Sequence, residues 1–205
     1  MKYSKIAIGI ILFLVLISDR DDARAMKEGA QVIDQQITDV MKKLDSLDDR
    51  SRMKLISQVD EQRSELLGVL VNYLDTSPSK NVQAAAIYMI GRHRLSDGVD
   101  ELMRHIDFQS DEPLRGALPL WEKFPSMEAL ITIGNPSVKP CLELLATDEN
   151  DLHRTLAVKV IRYVESADVA LFVLQQAQAS EKDVKRKEML ADALDRMQKL
   201  VKETR

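Results

Sequence analysis

The chain has 205 residues, of which 45% are hydrophobic and only 4% aromatic, and its net charge is −4. That length supports one domain with a real core, and the scarcity of Pro and Gly favours long regular elements. Leu, Val, Ala, Lys, Glu and Asp dominate, which suits helices, and nothing in the acidic balance suggests a sequence-independent nucleic-acid binder, which needs a basic face to displace phosphate counterions.

The first residues read as an address. "MKYSK" is cationic through Lys2 and Lys5, and "IAIGIILFLVLI" at 6–17 is an unbroken apolar run. Twelve residues at about 1.5 Å each fall short of a ~30 Å hydrocarbon core, but they suit a secretory signal. "ARA" at 23–25 supplies the small-x-small pattern of a signal-peptidase site, so the mature chain is expected to begin at Met26 with a net charge of −5. The charged "SDRDD" ahead of that site keeps an uncleaved membrane anchor as the alternative. No Cys follows the apolar run, which excludes a lipid-modified N-terminal Cys.

Met26, Ala30, Ile33, Ile37, Val40, Leu44 and Leu47 then step alternately by four and three residues. This is a heptad seam. It suits a capping helix over 26–50 that packs on the chain's own first hairpin, or a dimer contact.

From residue 51 the chain repeats itself. Ile56/Val59, Ile87/Ile90, Leu130/Ile133, Ile161/Val164 and Leu194/Met197 are apolar pairs three apart, separated by 31, 43, 31 and 33 residues. Quartets at i, i+3, i+4 and i+7, apolar except for Gln176, follow four of them: Leu67, Leu70, Val71, Leu74; Val99, Leu102, Met103, Ile106; Val138, Cys141, Leu142, Leu145; and Val169, Phe172, Val173, Gln176. Each pair and quartet predicts two amphipathic helices joined as a hairpin. In "EALITIGNPSVKPCLELL" (128–145) Gly134 ends the first helix, and Pro136 and Pro140 fit the turn and the first turn of the next. One hairpin cannot bury both of its apolar faces, whereas stacked hairpins can. Cys141 lies on the apolar stripe and is read as a small core residue; as the chain's single Cys it allows no internal disulfide.

The 43-residue spacing is an insertion, "DFQSDEPLRGALPLWEKFPS" at 107–126, whose prolines forbid one long helix. Leu118, Trp121 and Phe124 could plug a widened joint in the stack, or Trp121 and Arg115 could present a binding element. The mixed charges of "EKDVKRKE" (181–188) suit a solvated outer face on the last helix. Tyr88 and Tyr163 fall beside apolar positions and are expected to add ring area to the core.

"ALITIGNPSVKPCLELL" (129–145) and, with a longer turn, "AAIYMIGRHRLSDGVDELMRHI" (85–106) resemble the HEAT-like repeat family. "VKVIRYVESADVALFVLQQ" (158–176) is a weaker copy, with Glu165 where the Gly stands. The resemblance covers about residues 51–200. It implies an all-α fold, an α-solenoid of stacked antiparallel hairpins with about four repeats, whose second helices line the partner-binding side. Some members carry His-Glu dipeptides as iron ligands. Here His93, His105 and His153 are followed by Arg94, Ile106 and Arg154, so that activity is not supported.

The motifs of known chemistry are missing: there is no Gly-rich phosphate loop, no Gly-x-Ser-x-Gly and no His-Glu-x-x-His. Glu101 and His105 sit i, i+4 with Asp107 close behind, but a metal needs three or four ligands. The three His are read as surface groups, and no catalytic residue, metal or cofactor is expected. Asp111/Glu112 and Asp148/Glu149 lie in predicted turns, where carboxylates cap helices. The chain is therefore read as an exported, periplasmic or secreted, non-catalytic scaffold. Its parts are a signal at 1–25, the cap at 26–50 and the repeat domain at 51–205. It is expected to bind a partner protein through Asp100, Glu101, Arg104, Lys139 and Glu143, with Arg115 and Trp121 added from the insertion. Neither nucleic acid nor, once 6–17 is removed, a membrane is an expected partner. The alternatives are an accessory subunit of an envelope assembly, anchored in the inner membrane by 6–17, and a HEAT-like enzyme or cofactor-handling protein.

The signal reading predicts an N-terminus at Met26 in protein purified from its native host. Intact mass spectrometry checks it, and a full-length species in the soluble cytosol would contradict export.

Overall fold

A computed structural model of the protein describes residues 63–64, 66–109 and 123–203. Eight α-helices and two 3-10 turns occur among them, with no strand, so the expected all-α class holds. The helices are α1 (66–76), α2 (Lys80–Arg92), α3 (Val99–Arg104), α4 (Pro125–Ile133), α5 (Val138–Thr147), α6 (Asp151–Val164), α7 (Ala167–Ser180) and α8 (Val184–Glu203). The signal, the heptad segment, the Ile56/Val59 pair and the centre of the insertion, with Arg115, Leu118 and Trp121, lie outside the described residues. No helix among the described residues is long and apolar enough to cross a membrane.

The first-helix positions form a chain of contacts: α2 packs on α4, α4 on α6, and α6 on α8, while the second helices α3 and α5 also meet. Ile87, Ile90, Leu130, Ile161 and Met197, all from the predicted pairs, are completely buried. Leu70, Leu74, Leu102 and Leu145 close the core from the second helices. Cys141 is buried there, its thiol donating toward Met103 Sδ at 3.8 Å, and desolvation pushes its pKa up to about 12. That is an inert core thiol.

Helices α2 and α4 cross at very short range. A Cβ at Gly91 would stand 2.6 Å from the Ala129 Cα, so only Gly fits at this crossing. Gly91, which matches Gly134 in the longer-turned copy, therefore does not end its helix. α2 runs through Gly91 and stops at a Schellman motif, with Arg94 N–H donating to Gly91 O at 2.9 Å and Leu95 N–H to Ile90 O at 3.1 Å. Arg94 takes the left-handed position, φ 49°, that Gly usually fills. Arg63 supports this end by donating to His93 O at 2.8 Å and Arg94 O at 3.0 Å. Gly134, by contrast, ends α4 as expected, with φ 89°. The Leu130 carbonyl there accepts from Gly134 N–H and from the buried Ser137 hydroxyl, at 3.1 and 2.7 Å.

Other expectations shift. The sequence pattern joins the helices on either side of Gly134 as one hairpin, but α5 packs chiefly on α6, and α7 on α8. The left-handed backbone of Gly134 and the 3-10 turn Asn135–Ser137 intervene between α4 and α5, whereas α5 and α6 are joined by only residues 148–150. On α7 the predicted quartet lies off the core: Phe172 is 58% and Val169 42% exposed, while Ala170 and Leu174 are completely buried. The face of α7 that carries Ala170 and Leu174, and not the predicted one, turns to the core in a helix that packs chiefly on α8. Tyr163 is likewise exposed, whereas Tyr88 packs on the core. Phe124 packs against the core. The insertion ends sooner than its predicted boundary, because Pro125 already occupies the first turn of α4.

α8 is held by charge as well as by apolar contact. Arg154 of α6 is buried, and its guanidinium donates to Leu145 O, Asp148 O, Met189 O and the Asp192 carboxylate. Burial raises the Asp192 pKa, but hydrogen bonds from Arg154 and Arg196 outweigh it and hold the carboxyl below its ordinary value. Arg196 also reaches Asp151, at 2.6 Å. The "EKDVKRKE" run is partly engaged rather than simply solvated: Asp183 caps α8, accepting from Arg186 N–H at 2.9 Å, and Lys185 pairs with Glu149 at 2.5 Å.

The packing predicts opposite outcomes for one substitution at two helical glycines. Gly91→Ala gains up to about 1 kcal/mol of helix propensity, but it drives a methyl into backbone that cannot yield, so a net loss of about 2 kcal/mol is expected. Gly68 of α1 has nothing within 4 Å of a Cβ. Gly68→Ala should therefore stabilise, by about 0.5–1 kcal/mol. Urea unfolding of the two variants reads both signs.

Candidate functional site

The second-helix surface carries most of the predicted contact residues, and the structure sorts them. Asp100 and Arg104 on α3 and Lys139 on α5 are all exposed. Because α3 packs on α5, these charges belong to adjacent helices. Arg115 and Trp121 lie outside the described residues.

Two candidates behave otherwise. The spacing puts Glu101 on the polar face, yet it is only 6% exposed. It precedes the wholly buried Leu102, and in so short a helix the core side sweeps it inward. Arg104, one turn on, contacts its Oε2. Glu143 is open to solvent but already engaged: Arg186 of α8 grips both of its oxygens, at 2.8 and 2.9 Å, through a bidentate pair. The hydrogen bond from Arg186 holds the Glu143 pKa below its ordinary value. The same guanidinium donates to Glu181 at 2.8 Å, and that carboxyl falls to about 2. Glu143 is thus a structural partner of the last helix.

The His residues are not three equivalent surface groups. His93 is buried beside the α2 C-terminus. His105 closes α3, with its Nε2 3.2 Å from Glu101 Oε1 and 3.4 Å from Asp75 Oδ1 of α1. The i, i+4 spacing of Glu101 and His105 is legible in the sequence, but Asp75 comes from 26 residues before Glu101 and carries no local signal. His153, in the first turn of α6, sits between two acids: Nδ1 is 2.7 Å from Asp148 Oδ2, and Nε2 is 3.3 Å from Asp107 Oδ2. Asp148 also accepts from Asn150 N–H at 2.7 Å, so it works in the turn as expected. Asn150 in turn caps α6, accepting from the Leu152 and His153 amides.

His153 links the residues after α3 to the start of α6. Burial lowers its pKa, but hydrogen bonds and charge from Asp148 and Asp107 outweigh this and leave it raised. No protein-family model matches the chain, and neither a curated protein nor a solved structure matches it.

A raised folded-state pKa means stabilisation that is fully present below the unfolded value of His, and is lost as pH rises through the folded one. His153→Gln should therefore cost about 0.5–1 kcal/mol near pH 5.5, a figure set by the partial exposure of the pair, and almost nothing near pH 8.5. Thermal melts of both proteins across that window check it, and an equal loss at both ends would show that the charge plays no part.

Proposed function

We propose that the chain is an exported, non-catalytic α-solenoid scaffold that holds a partner protein on its second-helix face. The observation that carries this reading is the contact pattern. First helices α2, α4, α6 and α8 touch in succession, while α3 and α5 lie side by side and carry Asp100, Arg104 and Lys139. Such an array offers a fixed row of charges on a rigid surface. Charges at an interface favour orientation and partner selection more than raw affinity. Glu101 and Glu143 are left out of the contact set, since one is buried and the other is bound to Arg186. Arg115 and Trp121 remain candidate contacts from the sequence, as Trp and Arg are frequent anchors at interfaces.

Export rests on the cationic start, the twelve-residue apolar run and the "ARA" site. On this reading the partner is in the periplasm or outside the cell. An uncleaved 6–17 segment would instead keep the scaffold at the inner membrane as an accessory subunit.

Asp100→Lys combined with Lys139→Glu reverses two exposed charges without touching the core or the Arg104 contact to Glu101. Immobilised mature protein should retain a defined protein from envelope fractions, and the double variant should lose it while keeping its melting temperature. A reversal of two rim charges is expected to lower affinity by about 1–2 kcal/mol, mainly through the on-rate at low salt. Identical capture by the two baits would exclude this face.

A further inference from the structure

We propose that Asp75, Glu101 and His105 form a binding site for one divalent cation of the zinc class at the junction of α1 and α3. Each residue offers one ligand atom, and the three atoms lie within 4.8 Å of one another. His105 Nε2 stands 3.2 Å from Glu101 Oε1 and 3.4 Å from Asp75 Oδ1. Donors held about 2.1 Å from a tetrahedral zinc ion stand about 3.4 Å apart, so the observed spacings leave room for the ion with little movement.

Glu101 supplies the independent sign of a ligand. Its side chain is 6% exposed, and its buried Oε1 makes no hydrogen bond although it is aimed at the imidazole. A buried carboxylate oxygen without a hydrogen bond is costly, and native structures rarely leave one without a reason. The other oxygen, Oε2, contacts Arg104. That contact turns Oε1 toward the cluster, as outer-shell partners of metal ligands do. The donor set also selects the ion: an imidazole with two carboxylates suits zinc, manganese or iron, whereas magnesium and calcium favour oxygen alone. Asp75 and His105 are 42% and 28% exposed, so the ion would face solvent and keep at least one position for water or for a carboxylate of a bound partner.

The competing arrangement is a proton in place of the metal, an imidazolium bridging two carboxylates. Both fit the spacing, but they respond differently to zinc. The site does not depend on the scaffold reading, because its ligands come from α1, α3 and the residue that closes α3.

The test is isothermal titration of chelator-treated, full-length protein with zinc chloride, paired with thermal melts. One equivalent of zinc should bind and raise the melting temperature. Asp75→Asn and His105→Gln should each weaken binding by at least about tenfold, with unchanged far-UV circular dichroism. His153→Gln, which alters the other His–carboxylate cluster, should bind as wild type does. Asp75 is exposed, so its variant keeps the question decidable even if His105→Gln disturbs α3. Absence of saturable binding would overturn the proposal. So would wild-type affinity in Asp75→Asn, or a loss confined to His153→Gln.

Discussion

Much of the architecture hangs on the crossing of α2 and α4, where the backbone of Ala129 occupies the space that a side chain at residue 91 would need. Close approach brings two apolar helix faces into full contact, so that Ile87, Ile90 and Leu130 lose all exposure together. Alanine stands before three of the five first-helix pairs, and Ala86, Ala129 and Ala193 are all buried. Val160 holds that place in α6. Because Gly91 is committed to packing, another residue must end α2. Arg94 does so at the cost of a left-handed conformation, and Arg63 helps to offset it by capping two carbonyls.

The end of α2 sets the position of α3. Leu95, buried after the Schellman turn, leads into the 3-10 turn Ser96–Gly98 and fixes where α3 starts. A Cβ at Gly98 would meet Ile90 and Leu67 side chains at 2.8 Å, so α3 is drawn against both α2 and α1. With α3 set there, Leu102 points fully into the core and its neighbour Glu101 is carried under the surface beside Asp75. A packing constraint on α2 thereby assembles the acid–imidazole cluster between α1 and α3.

The C-terminal half is secured differently. Arg154 is a buried cation whose acceptors come from α5, the turn after it and α8, and Asp192 neutralises it. Removing Asp192 would leave the buried Arg154 cation with carbonyl partners alone, which is more costly than losing a surface pair, whereas Asp192 is 48% exposed and also holds Arg196. Arg186 adds a second tie, from α8 back to Glu143. The final helix thus meets three others, α5, α6 and α7, and closes this end of the core.

The sequence by itself determined the helical class, the first-helix core positions and the end of α4, because periodicity and Gly-Asn-Pro act within a few residues of the chain. Ile87, Ile90, Leu130, Ile133 and Ile161 were legible for that reason, and so was the inert burial of Cys141. Local pattern could not tell Gly91 from Gly134. One is dictated by a neighbouring helix and the other by its own backbone angle. Nor could it orient α7, where Phe172 and Val169 match the template as well as Ala170 and Leu174 do, until packing against the core and α8 buried the second pair. The tertiary structure alone decided that Glu143 belongs to Arg186 and that Asp75 joins Glu101 and His105. Those groups lie 26 to 43 residues apart along the chain, and charge or coordination between them acts only once packing has brought them within a few ångströms.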